Sequence, residues 1–135
     1  MWAAISAAMQ ALLLVGLGGG LGAMARYLVG VQVGRTLGTQ LPWGTLAVNA
    51  AGGLLIGVLA GWLALRGGAD QERWRLFLGV GMLGGFTTFS AYSLEVVLML
   101  QRREYLTAIT YSFGSVFLSV GMLFVGLLLM RRVLA

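Results

Sequence analysis

The chain has 135 residues, 59% of them apolar and only 10% charged, against about 25% charged residues in an ordinary soluble domain. So short a chain leaves too much area at its surface to hide that apolar excess, and lipid is the expected solvent. The absence of cysteine and histidine excludes disulfides, thiol chemistry and the commonest metal and acid–base side chains.

The net charge of +5 comes from arginines alone, set against Asp70, Glu72, Glu95 and Glu104. These arginines stand singly or in pairs at the ends of apolar runs, which is the pattern of membrane-flanking charge and not of a nucleic-acid footprint. The start of the chain lacks the charged beginning and cleavage site of a signal peptide, so the first apolar run is expected to be retained. There are 22 glycines, where ordinary usage of ~7% would give about ten, and this predicts helices that approach one another closely.

A membrane-spanning helix needs about 20 mostly apolar residues, and four segments qualify: Ala4 to Val33, Gly44 to Leu65, Trp74 to Leu100 and Tyr105 to Met130. Charge or turn chemistry fills the gaps, at Arg35 to Pro42, Arg66-Gly67-Gly68-Ala69-Asp70 and Gln101-Arg102-Arg103-Glu104, and Arg131-Arg132 closes the chain. The expected architecture is an all-α integral membrane protein of four transmembrane helices, a single unit over residues 1–135. Arginines divide weakly between the two sides. Arg66, Arg73, Arg75, Arg131 and Arg132 lie on the side of the termini, and Arg35, Arg102 and Arg103 lie opposite, with Arg26 just inside the first helix. A chain without a decided positive side is free to insert both ways round, and inverted copies can then pair.

In the first helix, Gly16/Gly20 and Gly18/Gly22 form i,i+4 small-residue pairs suited to close packing. Arg26 follows in a stretch that is otherwise apolar. It either snorkels to the interface or draws anions to an entrance.

The second helix has a small ridge at Gly53, Gly57 and Gly61, expected to pack within or between subunits. Thr45 and Asn49, four apart, share a face. Asn49 can act as interhelical glue or present its amide N–H groups to a dehydrated anion.

The third helix contains Gly84-Gly85-Phe86-Thr87-Thr88-Phe89-Ser90. Paired glycines followed by paired threonines predict a break at its middle. Such a break is tolerated where its freed groups are buried in protein or line a cavity. Freed carbonyls suit a cation, and the start of the next half-helix suits an anion. Phe89 and Tyr92 place two rings on one face, either as packing or with their electropositive edges turned to an anion.

In the fourth helix Thr107, Tyr111, Ser115 and Ser119 recur every four residues, forming a hydroxyl stripe about three turns long. A wet or ion-lined path is the favoured reading over serines bonding back to their own helix. No nucleophile–base or metal-ligand set is present, so the chain is not expected to be an enzyme.

These residues together resemble the Fluc (CrcB) fluoride channels. The resemblance rests on Gly44-Thr45-Leu46 with Val48-Asn49, the Gly-Gly-Phe-Thr-Thr-Phe-Ser run with Leu94-Glu95, and the Tyr111/Ser115/Ser119 stripe. Gly19-Gly20-Leu21-Gly22-Ala23 with Arg26-Tyr27 fits the family's first-helix motif, so the match covers nearly the whole chain.

The resemblance implies a fluoride-selective channel of the inner cell membrane that exports fluoride passively and so relieves its toxicity. It implies an antiparallel dual-topology homodimer with two pores and a structural sodium ion at the dimer centre. The sodium would be held by the backbone carbonyls of Gly84 and Thr87, in the third helix broken mid-membrane. The fluoride pathway would comprise Thr45, Asn49, Phe89, Tyr92, Tyr111, Ser115 and Ser119, with Arg26 and Glu95 near the pore ends. Tyr92 stands where the family usually has phenylalanine. The competing reading is a small proton-coupled multidrug exporter, also a four-helix dual-topology dimer. It needs an acid at membrane depth, and the first helix has none.

Overall fold

The computed structural model describes residues 2–66 and 68–134. Gly67 of the predicted second loop lies outside them, as do Met1 and Ala135. Helix α1, Trp2–Leu37, has 36 residues and so extends about 54 Å, well beyond the ~30 Å of a hydrocarbon core. It passes the predicted end at Val33, and in its last turn the Thr36 hydroxyl donates back to the carbonyls of Gln32 and Val33 at 3.2 and 3.1 Å. It stops at Gly38, whose φ of 81° no side-chain-bearing residue adopts cheaply.

Pro42 then precedes α2, Trp43–Arg66, and accepts from the Leu46 amide at 3.2 Å. Helix α3 covers residues 71–86 in three pieces: an α turn Gln71–Trp74, a wider π-helical stretch Arg75–Leu83, and a last turn Gly84–Phe86. Exposed i,i+3 ion pairs, Asp70 with Arg73 at 3.2 Å and Glu72 with Arg75 at 2.7 Å, support its start. This explains why the helix begins before the predicted Trp74. Helix α4, Phe89–Gln101, continues the path beyond an interruption. Arg103, at φ 61°, makes the turn into α5, Tyr105–Leu134.

Glycines set the two main seams. A Cβ on Gly57 or Gly53 would fall on the carbonyl oxygen of Leu123 or Ser119, and one on Gly126 would strike the Leu54 carbonyl. Helices α2 and α5 therefore meet backbone to backbone, and the predicted Gly53/Gly57/Gly61 ridge is spent within one chain. Gly18 and Gly22 of α1 lie equally close to the backbone of Phe77 and Met82 in α3, while Gly81 and Gly85 return the contact against Val15 and Gly19. Gly16 and Gly20, by contrast, face open space, and a Cβ added at either would meet nothing within 4 Å.

The interior is small. Val48, Ala50, Leu63, Leu83, Met99, Ala108 and Tyr111 are the buried core side chains, while Leu12 at 73% and Phe117 at 72% exposure typify the outside. An apolar exterior is what lipid requires. Four helical paths, Ala4–Leu37, Trp43–Arg66, Gln71–Gln101 and Tyr105–Leu134, are each long and apolar enough to cross a membrane.

Candidate functional site

The interruption between α3 and α4 consists of two extended residues, Thr87 at φ −82°, ψ 160° and Thr88 at φ −151°, ψ 124°. Gly84 itself remains helical at φ −63°, ψ −38°, so the paired glycines bend nothing. Gly85 instead lets α3 lie against the α1 backbone at Gly19, and the paired threonines make the break. A β-branched residue accepts extended backbone readily, and Thr88 also caps α4, its Oγ1 accepting from the Ala91 amide at 3.2 Å. The Thr87 hydroxyl donates back to the Leu83 carbonyl at 2.9 Å. Its methyl occupies the space left by Gly52 on α2.

Asn49 reaches this break from α2. Its Oδ1 accepts from the Thr88 amide at 2.8 Å, and its Nδ2 donates to the Thr88 carbonyl at 2.9 Å. The side-chain amide thus substitutes for the peptide partners that extended residue lacks, meeting the requirement that buried backbone groups be paired. An amide nitrogen carries two hydrogens, so one remains for another acceptor.

Beside this brace lies a cavity of about 350 Å³, lined by Asn49, Thr87, Thr88, Phe89, Tyr92, Ser115 and Ser119 among apolar neighbours. Ser115 is 5% exposed, and its hydroxyl has no well-formed hydrogen bond to any described residue. A buried donor in that state is costly to leave unmade. Phe89 is 77% exposed, and its ring lies 5.4 Å from Tyr92, which in turn lies 5.6 Å from Tyr111. The Tyr92 hydroxyl reaches the Ser112 carbonyl at 3.4 Å, so it turns toward α5.

The other half of the hydroxyl stripe borders a second cavity of about 490 Å³, where Thr107, Tyr111 and again Ser115 contribute to the wall. Ser115 therefore stands between the two spaces. Tyr111 donates to Glu95 Oε2 at 2.7 Å, and Thr45 donates to Glu95 Oε1 at 2.5 Å. Both are the short bonds expected of a carboxylate acceptor. This joins three predicted residues from three helices, and it holds Thr45 to the carboxylate and away from both cavity walls. Arg26 is half-buried on α1, lines neither cavity and makes no ion pair among the described residues.

Thr88 is a site residue that sequence reasoning misses. Its signal is a threonine placed directly before a helix whose third residue, Ala91, needs a cap.

A cation at the break would need backbone donors, because no group of three His, Cys, Asp or Glu side chains gathers among the described residues. The carbonyls there suit that chemistry. In an unbroken helix the Thr88 amide would bond Gly84 and the Ala91 amide would bond Thr87. Here those two amides are taken by Asn49 and by the Thr88 hydroxyl. Gly84 and Thr87 thus lose their helical donors.

Residues 13–127 match the family model described as CrcB-like protein, Camphor Resistance (CrcB). A protein of Phenylobacterium zucineum (strain HLK1) named fluoride-specific ion channel FluC is 68% identical over 127 residues, covering 94% of this chain and all (100%) of that protein. One of the same name from Caulobacter sp. (strain K31) is 61% identical over 125 residues, with 93% and 98% covered. Another from Caulobacter vibrioides (strain NA1000 / CB15N) is 56% identical over 127 residues, with 94% and 100% covered.

Proposed function

The chain belongs to the CrcB family, and from that membership and the hydroxyl-lined cavity we propose that it is a fluoride-selective channel and not an enzyme. It is a multi-pass membrane protein, placed in the inner membrane, and it lets fluoride leave passively down its electrochemical gradient. The observation that carries the reading is the buried Ser115 hydroxyl, without a well-formed hydrogen bond, in a cavity shared with Asn49, Phe89, Tyr92 and Ser119.

Fluoride is small and strongly hydrated, so a pore must replace its water with short, well-aimed donors. Hydroxyl and amide groups do this without a fixed charge that would trap the ion. The Ser115 hydroxyl, beside Tyr111 but without a well-formed bond to it, and the second Nδ2 hydrogen of Asn49 offer donors on one wall. Ser119 continues the wall, and Phe89 and Tyr92 offer ring edges. Thr45 and Tyr111 hold Glu95 by hydroxyl bonds, behind the cavity wall to which Tyr111 contributes. Arg26 is assigned to an entrance.

The family resemblance implies a working unit that is an inverted pair with two pores and the break at mid-membrane, and the exposed Phe89 and the cavity open on one side are in keeping with a partner chain completing the wall. A sodium ion at the pair's centre fits the carbonyls of Gly84 and Thr87, and its positive charge would offset the cost of an anion in a low-dielectric site. Nothing favours the exporter reading, since both oxygens of Glu95 are already engaged by hydroxyls.

An impermeant thiol label tests this assembly in cells that owe fluoride resistance to the chain. A single cysteine introduced near the C-terminus is expected to be labelled from outside in some copies and only after permeabilisation in others. Labelling from one side alone would contradict the inverted pair.

A further inference from the structure

We infer that Asn49 couples the anion path to the cation site, aiming the Thr87 carbonyl on one side while facing the cavity on the other. The inference rests on the reading of Gly84 and Thr87 as cation donors and assigns to Asn49 a positioning role toward them.

The coupling begins with one peptide unit. The carbonyl of Thr87 and the amide of Thr88 belong to the same planar trans group, so they point in opposite directions. The Thr88 amide is fixed on Asn49 Oδ1 at 2.8 Å. The Thr87 carbonyl must therefore point away from Asn49 and the cavity wall it forms.

The second bond, from Nδ2 to the Thr88 carbonyl at 2.9 Å, fixes the following peptide unit as well. Two consecutive peptides are thus oriented by a single side chain. The same Thr88 amide is the one that would otherwise close a helical bond to Gly84. By taking it, Asn49 also releases the Gly84 carbonyl. Both proposed cation donors depend on this one residue, although Asn49 touches neither of them.

A reciprocal effect follows. A cation on the Thr87 carbonyl polarises its peptide and strengthens the amide bond to Oδ1. That polarises the Asn49 side chain and makes its remaining N–H a better donor to an anion, because hydrogen bonds in series reinforce one another. By linkage, an anion at Asn49 must tighten the cation to the same degree.

The test is the melting temperature of the purified protein, titrated with sodium against N-methylglucamine at constant ionic strength. Wild type is expected to gain stability with a saturable sodium midpoint. Asn49→Ala is expected to shift that midpoint upward by about tenfold or more, within the range typical of coupled sites, while Gly34→Ala, at a position with nothing within 4 Å, keeps it. A wild type indifferent to sodium would remove the cation reading and this inference with it. A sodium response that Asn49→Ala leaves unchanged would overturn the inference alone.

Should Asn49→Ala fail to fold, the wild-type protein still decides. Fluoride is expected to lower the sodium midpoint by about fivefold or more relative to chloride. An equal midpoint in the two anions would overturn the coupling.

Discussion

Gly57→Val is expected to abolish recovery of folded protein. The first atom of any side chain at this position would fall on the Leu123 carbonyl oxygen and lie 3.0 Å from the Leu127 amide nitrogen. Both obstacles are backbone, so no rotamer change relieves them, and α5 itself would have to move. Overpacking costs about 1–3 kcal/mol even where side chains can yield. A membrane helix pair also has little hydrophobic driving force to spend against the clash, since lipid is as apolar as the interface.

Separation of α2 from α5 would carry the hydroxyl stripe away from Asn49, removing the cavity with the fold. Gly34→Ala, where nothing lies within 4 Å, is the control and is expected to match the parent. The measurement is monodisperse yield and melting temperature in detergent. Normal values for Gly57→Val would show that the α2–α5 seam is looser than described.

Ser115→Ala is expected to fold normally and to reduce fluoride flux by about tenfold or more. The hydroxyl has no well-formed hydrogen bond within the chain to lose, so its removal costs the fold little. It does remove a donor from the wall between the two cavities. A hydrogen bond to a charged group contributes about 1.5–3 kcal/mol, and each 1.4 kcal/mol is tenfold. Initial rates of fluoride release from liposomes at equal protein density check the prediction. Unchanged rates with unchanged melting would exclude Ser115 from the path.

Much of this arrangement is legible in the residues. Four long apolar runs define four helices because lipid demands that backbone groups pair within their own segment. The hydroxyls at positions 107, 111, 115 and 119 share a face because helical geometry places every fourth residue there. Other features depend on tertiary contacts that spacing does not contain. Gly84 and Gly85 suggest where the third helix would weaken, yet both stay helical, Gly85 packed on the α1 backbone at Gly19, and the break falls on Thr87 and Thr88.

Asn49 offers two readings, glue or donor, and the geometry allows both at once. One Nδ2 hydrogen holds the Thr88 carbonyl, and the other is left for the cavity. The joining of Thr45, Glu95 and Tyr111 is equally hidden in the sequence, since the three residues lie on α2, α4 and α5. Which glycines face a neighbour is undecidable from spacing for the same reason. Gly16/Gly20 and Gly18/Gly22 have the same spacing, but only the second pair meets α3.

Ion selectivity is the most direct test of the whole account. Purified protein would be reconstituted into liposomes loaded with equal fluoride and chloride, and a potassium gradient with a potassium ionophore would supply the electrical drive. Fluoride is expected to leave rapidly once the ionophore is added, with chloride retained as in protein-free liposomes. Comparable loss of the two anions, or no loss of either, would contradict a fluoride path lined by Asn49, Ser115 and Ser119.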